Sequence, residues 1–198
     1  MTHYYDAKQE GPLVPFLIPA RLKDLRLELY SAAGVFSKNQ LDAGTALLLA
    51  KMRLPEQKGA RVLDLGCGIG VVGVAAKLRR PDLLLVQSDV SERAIELTRL
   101  NAKKYKIESE IVQSDLFTNV KGEFDLILVN PPYVAGRELI FKMIEETAAH
   151  LVPGGSLQLV ARHNKGGKVL SERMAGLFGN IETIGMAGGY RVYCSKKE

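Results

Sequence analysis

The stretch Arg61-Val-Leu-Asp-Leu-Gly-Cys-Gly-Ile-Gly-Val-Val-Gly73 decides the fold of this 198-residue chain. Its first part, Val62 to Leu65, predicts a short buried strand, and the apolar run after Gly70 predicts a helix. Glycines at such a turn let the backbone approach a ligand closely, and the helix N-terminus offers free N–H groups. The stretch therefore predicts a ligand cradle, with the carboxylate of Asp64 at the end of the strand.

The glycine spacing by itself fits two kinds of cofactor. Gly68-x-Gly70-x-x-Gly73 satisfies the dinucleotide fingerprint, which is typical of an NAD-dependent oxidoreductase. Asp64 argues against that interpretation, because a carboxylate at the tip of the strand would repel a pyrophosphate. S-adenosylmethionine carries an ammonium and a sulfonium and no phosphate, so the same carboxylate would attract it.

Asp64-x-Gly66-x-Gly68-x-Gly70 resembles the first motif of the class I S-adenosylmethionine-dependent methyltransferases. The resemblance implies that Asp64 lies near the methionine end of that cofactor. It also implies that the backbone from Gly66 through Cys67 and Gly68 to Gly70 supports the cofactor. The expected cofactor is therefore S-adenosylmethionine.

Strand and helix patterns alternate along the rest of the chain. Buried strands are predicted at 61–65, 83–87, 110–113, 124–129 and 156–161, followed by two closing strands at 181–186 and 190–194. Short connections favour parallel pairing with right-handed crossovers. We therefore predict an α/β fold with a Rossmann-like, doubly wound, mostly parallel seven-stranded sheet and a C-terminal antiparallel hairpin.

A short N-terminal extension is predicted at residues 1–40, followed by a methyltransferase domain at residues 41–198. Residues 1–20 lack periodicity and are expected to be irregular. The alternation from Leu25 to Leu29 predicts a half-buried strand, with a return strand at 35–37 completing a hairpin. Asp42 is expected to cap a helix over residues 43–52.

Polar side chains follow the ends of three further predicted strands: Asp89, Asp115 and Asn130. In an open α/β sheet these ends share one edge, where ligands bind. Similarity to class I methyltransferases implies that Asp89 accepts hydrogen bonds from the ribose hydroxyls and Asp115 from the adenine amino group. Val90 and Leu116 would then pack on the adenine ring.

Asn130-Pro131-Pro132-Tyr133 is the most specific motif in the chain. It resembles the (N/D/S)-P-P-(Y/F/W) motif of methyltransferases that act on exocyclic or side-chain amide nitrogens. The Asn130 oxygen and the Pro131 carbonyl could accept the two hydrogens of such a nitrogen and aim its lone pair. Pro132 stiffens the backbone, and Tyr133 could stack on a planar target.

The resemblance narrows to the small-domain group related to ribosomal RNA small subunit guanine-N2 methyltransferase C. It is carried by Gly34-Val-Phe-Ser37, Leu41-Asp-Ala-Gly-Thr45 and Gly188-Gly-Tyr-Arg191, and it extends over about residues 25–195. It implies methylation of an exocyclic amine of an RNA base, with guanine N2 of small-subunit rRNA as the expected acceptor. Tyr133 is equally compatible with protein-glutamine methylation of the release-factor type. An adenine-N6 methyltransferase and a non-catalytic nucleic-acid-binding module are further alternatives.

Composition is compatible with an RNA partner. The net charge is +5, which suits a polyanion without requiring one. Candidate substrate-binding residues are Phe36, Arg137, Arg162, Lys165 and Lys168. Two isolated cysteines and three scattered histidines give no metal-ligand spacing, so no metal is expected. With no apolar run of membrane-spanning length and no signal peptide, a cytoplasmic location is expected.

Overall fold

The computed structural model describes residue 7 and residues 11–35, 41–132 and 136–198. Nine strands lie in these ranges: β1 Phe16–Arg21, β2 Arg26–Ser31, β3 Arg61–Leu65, β4 Leu84–Asp89, β5 Glu110–Gln113, β6 Phe124–Val129, β7 Leu151–Arg162, β8 Glu182–Ala187 and β9 Tyr190–Lys196. Seven of them form one sheet in the order β5-β4-β3-β6-β7-β9-β8. The first five strands of that order are parallel, and β9 runs antiparallel to both β7 and β8. The predicted fold class is confirmed.

The described helices are α1 Ala43–Lys51, α2 Val71–Arg79, α3 Glu92–Lys104, α4 Arg137–Ala149 and α5 Lys168–Phe178. They cover both faces of the sheet, as the alternation along β6 makes clear. Leu126 and Leu128 belong to the hydrophobic cluster that contains α1 and α2 residues, whereas Ile127 and Val129 belong to the cluster that contains α4 and α5 residues. The sheet is therefore buried between two helical layers.

The predicted cap of the first helix is confirmed. Asp42 caps α1 by accepting hydrogen bonds from the backbone N–H groups of Gly44 (2.9 Å) and Thr45 (3.2 Å). Ser91 caps α3 in the same way. Gly179 ends α5 in the left-handed conformation, with φ of 71°.

The N-terminal hairpin differs from the prediction. The strand predicted at 25–29 exists as β2, but its partner is β1, in the segment expected to be irregular. The predicted return strand at 35–37 is wrong at Val35, which lies in a bend, and the other two residues lie outside the described ranges. The β1 pattern was obscured by Pro19, which is unusual within a strand. In the structure Pro19 pairs with Glu28. The backbone N–H and C=O of Glu28 point away from β1, towards the Tyr105 hydroxyl. A proline without N–H is therefore tolerated there.

Side chains of α3 fasten this hairpin to the domain. The buried amide of Asn101 accepts a hydrogen bond from the Tyr30 N–H (2.7 Å) and donates to the Tyr30 carbonyl (3.0 Å). The same amide donates to the Ile69 carbonyl in the glycine turn (2.9 Å). The backbone N–H and C=O groups on the outer edge of β2 thus form hydrogen bonds with side chains instead of with another strand.

The strand predicted at 156–161 begins earlier than expected, and the segment Pro153-Gly154-Gly155, whose composition is typical of a turn, belongs to it. The segment lies within β7, which begins at Leu151. The pairing with β6 jumps from Leu151 to Ser156, so the segment forms an irregularity inside the strand. Its backbone instead pairs with the C-terminal segment at Lys197.

No helix in the described part of the chain combines the length and the apolar character needed to cross a bilayer.

Replacing Asn101 by Leu should destabilise the fold strongly. The change leaves three backbone polar groups, on Tyr30 and Ile69, without their side-chain partner. We expect the free energy of unfolding in urea to fall by about 3 kcal/mol. Asn119→Ala is the matched control, because its exposed amide makes one bond, to the Gln113 carbonyl, and should cost less than about 1 kcal/mol. Equal losses in the two variants would contradict the anchoring role of Asn101.

Candidate active site

A cavity of about 330 Å³ opens at the carboxyl ends of β3, β4, β5 and β6. This is the edge at which an open α/β sheet binds ligands. Eleven of the residues predicted from the sequence line it: Asp64, Gly66, Cys67, Gly68, Asp89, Val90, Asp115, Leu116, Asn130, Pro131 and Pro132. The fold therefore brings the residues of the glycine turn, the three strand-end acids and the Asn-Pro-Pro motif to one cavity.

Several other candidates lie elsewhere. Gly70 is outside the lining and forms the left-handed N-cap of α2. Arg137 begins α4 with an exposed side chain. Arg162, the last residue of β7, and Lys165 and Lys168, which follow it, are also exposed. Phe36 and Tyr133 fall outside the described residues.

Backbone and side-chain groups of β4 hold one side of the glycine turn. The Ser88 carbonyl accepts hydrogen bonds from the N–H groups of Gly66 (2.8 Å) and Cys67 (2.9 Å). The Asp89 carboxylate accepts from the Gly68 N–H (2.9 Å) and from the Ser91 N–H (2.9 Å). Asp89 therefore orders the turn from within the cavity and keeps further lone pairs for a ligand.

The opposite side of the turn is held by α3. Thr98 donates its hydroxyl to the Gly68 carbonyl at 2.9 Å, and Asn101 donates to the Ile69 carbonyl. Both side chains are buried. The turn is consequently a fixed element before any ligand arrives, which lowers the entropy lost on binding.

Asp64 is buried, with 3% of its surface exposed. Its carboxylate accepts a hydrogen bond from the Gly73 N–H in α2 (2.9 Å) and a longer one from the Gln87 amide (3.4 Å). Burial raises the pKa of Asp64 to about 7, and these two hydrogen bonds only partly oppose the shift. Burial also raises the pKa of Asp89, opposed by its backbone N–H donors.

Gly73, the third glycine of the apparent dinucleotide fingerprint, has a structural explanation. A Cβ at this position would lie 2.3 Å from the Gln87 side-chain nitrogen. Glycine therefore leaves room for the amide that reaches Asp64 and the Gly70 carbonyl. The spacing that suggested a pyrophosphate site is accounted for by packing.

Ser88 and Leu116 show further marks of a ligand site. The buried Ser88 hydroxyl has no hydrogen-bond partner among the described residues, although it lines the cavity. Leu116 has a left-handed φ of 47°, which is unfavourable for a leucine. The Ser114 hydroxyl accepts the Asn119 N–H and donates to the Leu116 carbonyl, which helps hold this conformation.

Asn130 is oriented by the start of α1, a contact that the sequence did not predict. Its amide nitrogen donates to the Thr45 hydroxyl (2.8 Å) and to the Asp42 carboxylate (3.3 Å). The Thr45 hydroxyl in turn donates to Asp42, so it must accept from Asn130. These contacts turn the amide nitrogen of Asn130 towards α1, and its oxygen is the atom that can accept from a ligand. The available sequence signal for this contact was the pair Asp42 and Thr45, which lie three residues apart at the start of α1.

The N-terminal hairpin supplies an apolar wall of the cavity through Ile18, Ala20 and Leu29. These residues also pack in the cluster shared with α1 and α2. Their contribution was not predicted, because it depends on a pairing between distant segments.

No group of three or more His, Cys, Asp or Glu side chains within the described ranges is arranged to hold a metal ion.

Known proteins share this sequence pattern. The profile of the family described as "Methyltransferase small domain" matches residues 26–194. Ribosomal RNA small subunit methyltransferase C of Pasteurella multocida is 42% identical over 145 residues, covering 71% of this chain and 43% of that protein. Uncharacterized protein YbxB of Bacillus subtilis is 34% identical over 198 residues, covering 98% of each.

Solved structures agree in fold. The 16S rRNA N2 G1207 methyltransferase of T. thermophilus, solved with AdoMet and guanosine, superposes with a TM-score of 0.78 at 22% identity, covering 94% of this chain and 52% of that one. A methyltransferase from Pyrococcus furiosus gives a TM-score of 0.62 at 26% identity, covering 71% and 76%. The chain spans about half the length of the ribosomal RNA methyltransferases that it matches.

Replacing Asp64 by Asn should stabilise the protein in a pH-dependent way. The folded chain holds this carboxyl at a pKa of about 7, against 3.8 for an ordinary Asp, so it binds the extra proton between those values. Wild-type stability therefore falls as pH rises through that window, and the neutral amide escapes the loss. We expect the variant's Tm to exceed the wild-type Tm by about 4 °C or more at pH 8 and by much less at pH 4.5.

Asp82→Asn is the control for this experiment. The hydrogen bond with Arg80 lowers the pKa of Asp82 to about 2. The contribution of ionised Asp82 to the stability of the fold is therefore complete above pH 5 and is lost only in stronger acid. The offset of Asp82→Asn should therefore stay constant between pH 5 and pH 8. A constant offset for Asp64→Asn as well would contradict the burial of an ionisable carboxyl at that site.

Proposed function

This chain belongs to the methyltransferase small domain family, and we propose that it is an S-adenosylmethionine-dependent N-methyltransferase acting on an exocyclic amine of an RNA base. The acceptor we favour is guanine N2 of small-subunit rRNA. One observation carries the proposal: the amide of Asn130 is locked by Thr45 and Asp42 beside a cavity lined by three strand-end acids.

The residues of the cavity suit S-adenosylmethionine. Asp64 would attract its ammonium, Asp89 would accept from the ribose hydroxyls, and Asp115 from the adenine amino group. The bound cofactor supplies an electrophilic methyl group on a sulfonium.

Asn130 and Pro131 would prepare the acceptor. An exocyclic amine is a weak nucleophile, because its lone pair is delocalised into the ring. The Asn130 oxygen and the Pro131 carbonyl would accept its two hydrogens, turn the lone pair out of conjugation and stabilise the positive charge that develops. Two donations from the Asn130 amide nitrogen, one of them to a carboxylate, strengthen its oxygen as an acceptor.

RNA is favoured over a protein acceptor by two observations. Relatives at 42% and 39% identity are named ribosomal RNA small subunit methyltransferase C. The sheet edge next to Asn130 carries Arg162, Lys165 and Lys168, which could contact phosphates. Tyr133, Phe36 and Arg137 remain candidates to border the acceptor.

Side-by-side methylation assays test the acceptor. The purified chain is incubated with labelled S-adenosylmethionine and either unmodified small-subunit rRNA, with or without ribosomal proteins, or a release factor carrying a Gly-Gly-Gln loop. We expect transfer to RNA only, with N2-methylguanosine found by nucleoside mass spectrometry. Transfer to the release factor alone would replace the proposal by protein-glutamine methylation, and methyladenosine would replace it by adenine-N6 methylation.

Removing the Thr45 hydroxyl should impair catalysis more than cofactor binding. In Thr45→Val the Asn130 amide loses one acceptor, and its oxygen is no longer held in place. We expect kcat to fall about tenfold, equivalent to about 1.4 kcal/mol, while the Kd for S-adenosylmethionine changes less than about twofold. Thr45→Ser keeps the hydroxyl and should retain the wild-type kcat. A Thr45→Val enzyme with unchanged kcat would show that this hydrogen bond does not position Asn130.

A further inference from the structure

A second cavity, of about 300 Å³, lies further along the same edge of the sheet. It is bounded by the turn after β7, at His163 and Asn164, and by the β8–β9 hairpin from Met186 to Arg191. Arg162, the last residue of β7, pairs with Tyr190, the first of β9. The cavity therefore sits about 10 Å from the end of β6, two strand spacings away.

The two walls of this second cavity are held together by defined contacts. The His163 N–H donates to the Gly189 carbonyl at 2.9 Å. The His163 ring lies 2.7 Å, Nδ1 to oxygen, from the Tyr193 hydroxyl. The opening is thus formed by the fold and is polar on one side.

Tyr190 connects this cavity to the candidate active site. A Cβ on Gly44 would lie 3.1 Å from the Tyr190 ring, so the ring packs directly against the first turn of α1. That turn contains Asp42 and Thr45, which orient Asn130. A nucleic-acid strand that occupies both sites would therefore pass over Tyr190.

Charge around the second cavity suits an anion. The Arg162 guanidinium lies 5.7 Å from the centre of the Tyr190 ring. Arg191 lines the cavity, and the exposed Lys165 follows the lining residue Asn164 in the chain. The ion pairs formed by the described residues include none of these three cations. An aromatic face beside cations is the arrangement that binds single-stranded nucleic acid.

From these observations we infer that the second cavity is a nucleotide subsite, which binds an unpaired nucleotide flanking the one to be methylated. Tyr190 stacks on its base, and Arg162 and Lys165 contact its phosphate groups. The inference rests on the proposed RNA acceptor and adds to it a place where the strand is gripped beyond the target base. A stacking role for Tyr190 also explains why residue 44 is a glycine, because a larger side chain there would displace the Tyr190 ring.

The test uses a fluorescein-labelled ten-nucleotide single-stranded RNA containing one guanosine, with affinity measured by anisotropy. Tyr190→Leu removes the aromatic face and should weaken binding about tenfold. Tyr190→Phe keeps the face and should bind as the wild type does. Phe141→Leu removes a similar cation–aromatic pair, with Arg173 at 5.8 Å on the helical face, and should have no effect.

Two further measurements separate the possible failures. Asn164→Ala alters only an exposed side chain of the cavity and should also weaken binding, so a misfolded Tyr190→Leu protein would not leave the question open. Arg162→Ala should reduce the salt dependence of binding by about one phosphate contact. If the wild type methylates rRNA but Tyr190→Leu and Asn164→Ala bind the oligonucleotide normally, the subsite is wrong and the proposed function stands. If the wild type neither binds nor methylates RNA, both fail.

Discussion

The buried carboxylate of Asp64 is the constraint on which the ligand-binding edge depends. It ties together three elements, since it ends β3, accepts from Gly73 in α2 and accepts from Gln87 on β4. Burial of a carboxylate is costly, and its raised pKa shows that two hydrogen bonds do not fully offset the loss of water. A neutral residue would hold the same elements more cheaply, so the charge is best explained by a cationic ligand.

The parts of the fold that the sequence predicted well are those set by local pattern. The strands at 110–113 and 124–129 have the bounds expected. For 124–129 the reason is that a parallel strand buried on both faces reads as a short apolar run. The convergence of Asp64, Asp89 and Asp115 followed from topology alone, since parallel strands place their carboxyl ends at one edge.

What could not be predicted depends on contacts between distant segments. Asn130 is oriented by Thr45 and Asp42, which lie 85 and 88 positions earlier in the chain. No local sequence pattern predicts that contact. β1 was missed because Pro19 breaks the strand pattern. A proline is tolerated at this position only because the backbone N–H of its partner Glu28 points away from β1. Arg162, Lys165 and Lys168 were predicted only as candidate substrate-binding residues, because the cavity beside Arg162 is formed by the β8–β9 hairpin, which is distant in sequence.

The contact between Gly73 and Gln87 couples two positions that lie on different elements. A methyl group at residue 73 would overlap the Gln87 amide, so an alanine there requires the Gln87 side chain to move or to be shortened. A shorter side chain would in turn surrender a hydrogen bond to Asp64. The two residues therefore act as one unit, because a substitution at residue 73 has to be accommodated at residue 87, the residue that supports Asp64.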